Sequence, residues 1–279
     1  MIGGRSPLLD ITKKQAEALE KELNSTSSFS PPYKVGDRGG KDFRVFVGMR
    51  YWHPFIKDTL NEIKNSGAER IVAVVMAPHY SKISTDGYIK AVNEAMAELT
   101  PLFPPLEKGG EGGFDISFIN NWHIHPLFLE AVAEKIKKGI SYFKDINKAD
   151  IQIIFSAHSL PEKDALYVKQ LNETIEGIIK LTGDISWHLG FQSKGMSAGE
   201  WLEPTIDSIF ERLSREGKKY VLIVPVGFVS DHIETLYDID IFYKETAKSL
   251  GLIFHRTESL NDSPKFIESL AAIIREHLQ

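Results

Sequence analysis

Short runs of β-branched and aromatic residues alternate along this chain with longer amphipathic stretches, and that alternation restricts the fold more than any other property. Helical spacing of apolar residues marks Ile11–Leu23, Phe55–Lys64, Tyr88–Leu99, Leu127–Lys138, Lys163–Leu181, Pro204–Arg215 and Pro264–Leu278. Between them Phe43–Val47, Arg70–Met76, Asp115–Ile119, Ile151–Phe155, Ile185–Leu189, Tyr220–Val224 and Leu252–His255 read as strands. Strands separated by helices cannot pair as hairpins and must cross over, so an α/β fold with parallel sheets flanked by helices is expected, in two similar doubly wound halves. Ser25–Lys41 and Pro101–Phe114, rich in Ser, Pro and Gly, read as loops.

Composition removes several classes of function. With 33 basic and 38 acidic residues, a net charge of −5 and no basic stripe, nothing favours nucleic acid. The longest apolar runs, around 71–77 and 220–229, fall far short of the roughly 20 residues of a spanning helix. No basic-then-apolar leader opens the chain, so a cytoplasmic location is expected, with peripheral membrane association left open. The absence of cysteine removes disulfides, thiolate zinc sites, cysteine nucleophiles and iron–sulfur ligation together. A metal must then be held by oxygen and imidazole nitrogen, a donor set suited to a transiently bound divalent iron.

Two segments carry chemistry. After the apolar stretch Tyr220–Val229, the run Ser230–Asp240 packs four acids and His232 into a helix start. At α-helical spacing Asp231, Glu234 and Asp238 share a face, where like charges repel. A solvated face is the ordinary fate of such a run, but the end of a buried strand in an open α/β sheet is where ligands bind, and a cation would relieve the repulsion. Ile151–Phe155 likewise leads into Ser156-Ala157-His158-Ser159-Leu160-Pro161, with Pro161 suited to a first helical turn. His158 therefore stands at a strand end, as a nitrogen ligand or proton acceptor opposite Glu234. His232 would not share the face of Glu234 and reads, with Asp231, as a support behind the reacting groups. Trp122-His123-Ile124-His125-Pro126 has a zinc-type His-x-His spacing but lacks the further ligands, and Gly3-Gly4 and Gly39-Gly40 fit no dinucleotide loop.

Ser156–Pro161 and Val226-Gly227-Phe228-Val229-Ser230-Asp231-His232-Ile233-Glu234-Thr235-Leu236-Tyr237 resemble the two most recognisable blocks of the ferrochelatase family. Gly190–Gly195, Trp201–Pro204, Met49–Phe55 and Ala77–Ser81 are similar to further segments of it, so the resemblance spans nearly the whole chain. It implies an enzyme of haem biosynthesis, a lyase inserting Fe2+ into protoporphyrin IX or coproporphyrin III with release of two protons. On that resemblance His158 takes the pyrrole protons or ligates iron across a porphyrin cleft from Glu234, Asp238 is a secondary carboxylate on the metal or proton route, and Ser6 and Tyr88 approach the porphyrin. It implies porphyrin and ferrous iron as partners, no permanently bound cofactor, no iron–sulfur cluster and a monomeric chain. The halves would be 1–121 and 122–256, with 257–279 packing back on the first.

Two departures shape the expectations. The family's Ile-Gly-Gly-x-Ser-Pro-Leu segment stands here at Ile2–Leu8, so the usual amino-terminal strand and glycine-rich loop, one wall of the cleft, are expected to be missing. Phe242 replaces a further carboxylate one turn past Asp238, and Pro101–Phe114 looks like an insertion. The alternatives are a porphyrin or haem binder without activity, made so by loss of that wall, and a cobalt or nickel chelatase of the same fold.

Overall fold

The structure, a computed structural model, describes residues 4–25, 43–68, 70–99, 115–160, 164–193 and 200–279. The segments read as loops, apart from Ser25, lie outside these residues, as do Ile2, Gly3, Pro161, Lys163, Lys194 and Gly195.

The order is α1 (Leu8–Asn24), α2 (Ile56–Asn65), β1 (Arg70–Val74), α3 (Thr85–Leu99), β2 (Asp115–Ile119), α4 (Pro126–Ile140), β3 (Ile151–His158), α5 (Ala165–Thr182), β4 (Ser186–Gln192), α6 (Ile206–Arg215) and β5 (Tyr220–Val224). A π-helix (Glu234–Tyr243), α7 (Lys244–Ser249), β6 (Ile253–Arg256) and α8 (Pro264–His277) complete it. All strand pairs are parallel, β1 with β2 in one sheet and β4-β3-β5-β6 in the other. Local chemistry sets the helix starts: Asp164 accepts from the Tyr167 N–H, Thr205 from the Ser208 N–H, and proline opens α4 and α8.

β3 lies in the middle of its sheet and is buried on both faces, which its unbroken apolar run Ile151–Phe155 anticipates. Ile153, Phe155 and Ala157 enter the large core shared with α1, α4, α5 and α8. Ile154 enters a second core with Ile206, Ile209 and Phe210 of α6 and Ile239 and Tyr243 of the π-helix. A third core sets Ile56 and Leu60 of α2 and Ala95 and Leu99 of α3 against Ile71. α8 packs on both α1 and α4.

Two expectations fail here. Phe43–Val47 forms no strand, because side chains occupy its backbone where a neighbouring strand would pair. Asn24 exchanges two hydrogen bonds of 2.9 Å with the Phe43 backbone, Glu20 Oε2 accepts from the Val45 N–H at 2.7 Å, and Thr59 Oγ1 donates to the Val47 carbonyl at 2.7 Å. The acidic segment, expected to begin as an α-helix near Asp231, instead enters its π-helical winding at Glu234, with hydrogen bonds reaching five residues back rather than four.

Candidate active site

The parity of β3 decides which way its last residue faces. Because Ile154 lies in the core under α6 and the π-helix, Ser156 and His158 point to that same side. There the π-helix begins, and His158 Nδ1 lies 3.1 Å from Glu234 Oε2. The two side chains are 37% and 35% exposed, enough to meet a ligand and too little to be freely solvated. An ionised carboxylate only accepts, so Nδ1 is the donor in this hydrogen bond, which leaves Nε2 free of it. The His158 hydrogen bond holds the Glu234 carboxyl below its ordinary range against the opposing effect of burial. The resemblance implied two groups facing each other across a porphyrin cleft; in the structure they lie within hydrogen-bond distance, with Glu234 on the helix that the acidic run anticipated.

Asp238 follows one turn on and accepts from Ser193 Oγ at 2.8 Å. Ser193 leaves β4 with φ of 60°, in the left-handed region, and its hydroxyl also helps to lower the Glu234 pKa. Ser193 thus bears on both carboxylates, although in the sequence it was only one letter of a motif.

Asp231 does not share their face. It precedes the π-helix, and its carboxylate receives Arg256 Nη1 at 3.0 Å, Ser259 Oγ at 2.7 Å, Asn261 Nδ2 at 2.9 Å and Thr235 Oγ1 at 3.4 Å. Burial alone would raise its pKa, but the Asn261, Arg256 and Ser259 donors outweigh burial and lower it. Arg256, at the end of β6, also forks onto Asp240 through Nε at 2.7 Å and Nη2 at 2.8 Å. One guanidinium therefore ties the segment leading into the π-helix to the helix's middle. An arginine ending a strand after a run of acids was the available signal for it.

His232 makes no hydrogen bond to His158: its Nδ1 donates to the Ser230 carbonyl at 3.1 Å, its ring lies 4.7 Å from that of Phe228, and burial pushes its pKa down. Ser6 stands just before α1, where its Oγ accepts from the Leu8 N–H at 3.4 Å. Tyr88 on α3 lies under the Arg50 guanidinium, 5.2 Å from its ring centre, and burial raises its pKa. No hydrogen bond or ring contact joins Ser6 or Tyr88 to His158 or Glu234. The His-x-His residues are spent on carboxylates, His123 on Glu173 at 2.9 Å and His125 on Glu276 at 3.4 Å. Among the described residues no group of three or more His, Asp or Glu side chains is arranged to hold a metal.

The family model described as Ferrochelatase matches residues 1–278. A protein of Geobacter sp. (strain M21) named Ferrochelatase is 42% identical over 279 residues, which cover 98% of this chain and 78% of its relative. One of Anoxybacillus flavithermus (strain DSM 21510 / WK1), named Coproporphyrin III ferrochelatase, is 34% identical over 283 residues, covering 100% and 82% of the two chains. Among solved structures, the sirohydrochlorin chelatase SirB from Bacillus subtilis subspecies spizizenii, in complex with cobalt, superposes with a TM-score of 0.56 at 12% identity, covering 96% of this chain and 88% of that one. At that identity the likeness establishes the fold, the two-half α/β architecture of chelatases.

Proposed function

The chain belongs to the ferrochelatase family, and from that premise we propose that it inserts ferrous iron into a porphyrin in haem biosynthesis, with His158 and Glu234 as its reacting groups. Insertion requires two pyrrole N–H protons to leave while the ion sheds water, and a flat ring keeps its nitrogen lone pairs in its own plane. The protein must therefore bend the ring with contacts remote from the nitrogens and remove the protons at its centre. The observation that carries the assignment of residues is the 3.1 Å pair of His158 Nδ1 and Glu234 Oε2 at the carboxyl end of β3. It leaves Nε2 as a base or ligand whose positive form the adjacent carboxylate stabilises. Asp238 is the next acceptor along the helix, and His232 and Asp231 are supports that do not react.

Iron is here a substrate, and no permanently bound cofactor is required. No helix among the described residues is long and apolar enough to cross a membrane. Our reading of its setting is a monomer acting in the cytoplasm.

The test is anaerobic incubation of the purified chain with Fe2+ and either protoporphyrin IX or coproporphyrin III, following loss of free-base fluorescence. Insertion into one or both is expected, and the ratio of the two kcat/KM values identifies the substrate. Tight binding of both rings with no metal insertion would overturn the proposal in favour of a porphyrin binder. Turnover with cobalt or nickel and sirohydrochlorin alone would overturn it in favour of the other chelatase chemistry.

A further inference from the structure

The backbone of His158 lies where β3 has lost one of its two neighbours. In a parallel sheet the N–H and C=O of one residue point to the same adjoining strand, and successive residues alternate between the two sides. The Ser159 N–H goes to the Gln192 carbonyl of β4 at 2.8 Å, so the His158 N–H points the other way, along the line of β5. There β5 no longer runs beside it. Their pairing ends at Phe155 and Val224, and the chain turns off through Pro225, with the Val226 N–H on the Val224 carbonyl at 2.8 Å and the Gly227 N–H on the Ser156 carbonyl at 3.2 Å. The Tyr167 hydroxyl, from the first turn of α5, accepts the His158 N–H instead. Tyr167 is buried, and burial raises its pKa, so the hydroxyl stays un-ionised. Gly227 makes room for it: a Cβ there would come within 3.5 Å of the Tyr167 hydroxyl and 3.1 Å of Ala157 Cα. The phenol is itself held, because Asp164 accepts the Tyr167 N–H at 3.2 Å and the His79 ring meets the Tyr167 ring edge-on, 6.1 Å between centres.

We propose that Tyr167 is a positioning residue for iron insertion: its hydroxyl replaces the absent strand partner of His158, fixes the peptide that carries the imidazole, and so keeps that ring at the Glu234 carboxylate. The inference rests on the reading of His158 as a reacting group, and it asks nothing of the ring nitrogens, since the hold is on the backbone. The last residue of a strand has no further ladder to set its direction, and a displacement of about 1 Å at a reacting group can cost about 100-fold in rate. Tyr167 belongs to the large core, on the face of β3 opposite the imidazole, and does not meet the porphyrin.

Amide hydrogen exchange and kinetics test it together, on the full chain. Tyr167→Phe keeps the ring and removes the hydroxyl, so the His158 amide is expected to exchange with deuterium at least about tenfold faster than in the wild type, while Ile153–Phe155 exchange alike in both. The same variant is expected to lower kcat about tenfold with the porphyrin KM changed less than twofold. Its crystal structure should show His158 Nδ1 farther than 3.1 Å from Glu234 Oε2. Should the variant not fold, the wild type decides alone: a His158 amide that exchanges as fast as one without a partner would overturn the proposal, and a protected one supports it. An unchanged kcat in folded Tyr167→Phe would overturn it too, as would faster exchange throughout β3 with a fall in Tm and a rise in KM. A wild type that inserts no iron would refute the chelatase reading instead, and the exchange of the His158 amide would still decide the hydrogen bond.

Discussion

At the scale of single residues, the proposed function divides the labour between His158, which would accept protons, and Glu234, hydrogen-bonded to it at 3.1 Å. His158→Ala should lower the kcat of iron insertion by at least about 100-fold while the porphyrin Kd, from fluorescence quenching, changes only a few-fold. Glu234→Gln keeps the size but removes the anion beside the imidazole, so a similar fall in kcat is expected. His232→Ala should be milder, because its Nδ1 serves the Ser230 carbonyl. Glu234 also carries a pH signature. Its folded pKa lies below the ordinary 4.5, so its contribution to stability is present above about pH 4.5 and is lost as pH falls through the folded value; Glu234→Gln should flatten the acid limb of Tm against pH below 4.5. His158 and Glu234 were legible in the sequence because they stand together in the two blocks that resemble the ferrochelatase family, although each alone, a histidine in a loop and an acid on a helix, ordinarily has a structural use. Ser193 was not, since a neutral side chain in a motif carries no mark of what it faces. Asp231 was misplaced because α-helical spacing was applied to a residue that precedes the helix.

Among the elements, the π-helix is the one on which the site depends, and the one that pattern reading least anticipates. Its wide winding carries Glu234 at its first turn, and Arg256 holds it from outside through Asp231 and Asp240. The Arg256 side chain is 11% exposed, so this fork is shielded from water. Arg256→Lys keeps the charge but cannot make the two-pronged bond to Asp240; a loss of about 2 kcal/mol in urea unfolding is expected, with a fall in kcat as Glu234 loses its register. Lys138→Ala removes an exposed bond to Glu258, where the Lys138 side chain is 66% exposed, and should cost less than about 0.5 kcal/mol. Most helices and strands were readable to within a few residues from their apolar periods. Phe43–Val47 was not, because alternation reports a face to bury and says nothing of what will pair with the backbone; Glu20, Asn24 and Thr59 supply those partners from distant elements.

Across the whole molecule, a buried polar joint links the first sheet's loop to α5. His79 Nε2 lies 2.9 Å from Thr174 Oγ1, which donates to the His123 carbonyl, and Gln170 accepts the Tyr80 N–H. Burial depresses the His79 pKa from 6.5 to about 3, so the fold refuses a proton that the unfolded chain accepts. Stability is therefore full above about pH 6.5 and declines as pH falls toward 3, with a slope of up to about 1.4 kcal/mol per pH unit. His79→Gln, which retains a donor for Thr174, should remove that slope in denaturant titrations between pH 6 and 4. On the other side Gln15 of α1 donates to Ser230 and the Asn261 carbonyl, bracing the loop from which the π-helix starts. The two-half architecture was legible in the alternation of periods; these joints were not, since their partners lie far apart in the chain. The sheets themselves are unequal. β1 and β2 make a two-stranded ladder, whereas β3 is paired on both edges with Ile153, Ile154 and Phe155 fully sealed. A two-stranded ladder leans on its helices for stability, so backbone amides of Ile71–Val74 should exchange with deuterium sooner than those of Ile153–Phe155. The side of β1 and β2 is then the one expected to open first, while the strand that carries His158 stays still.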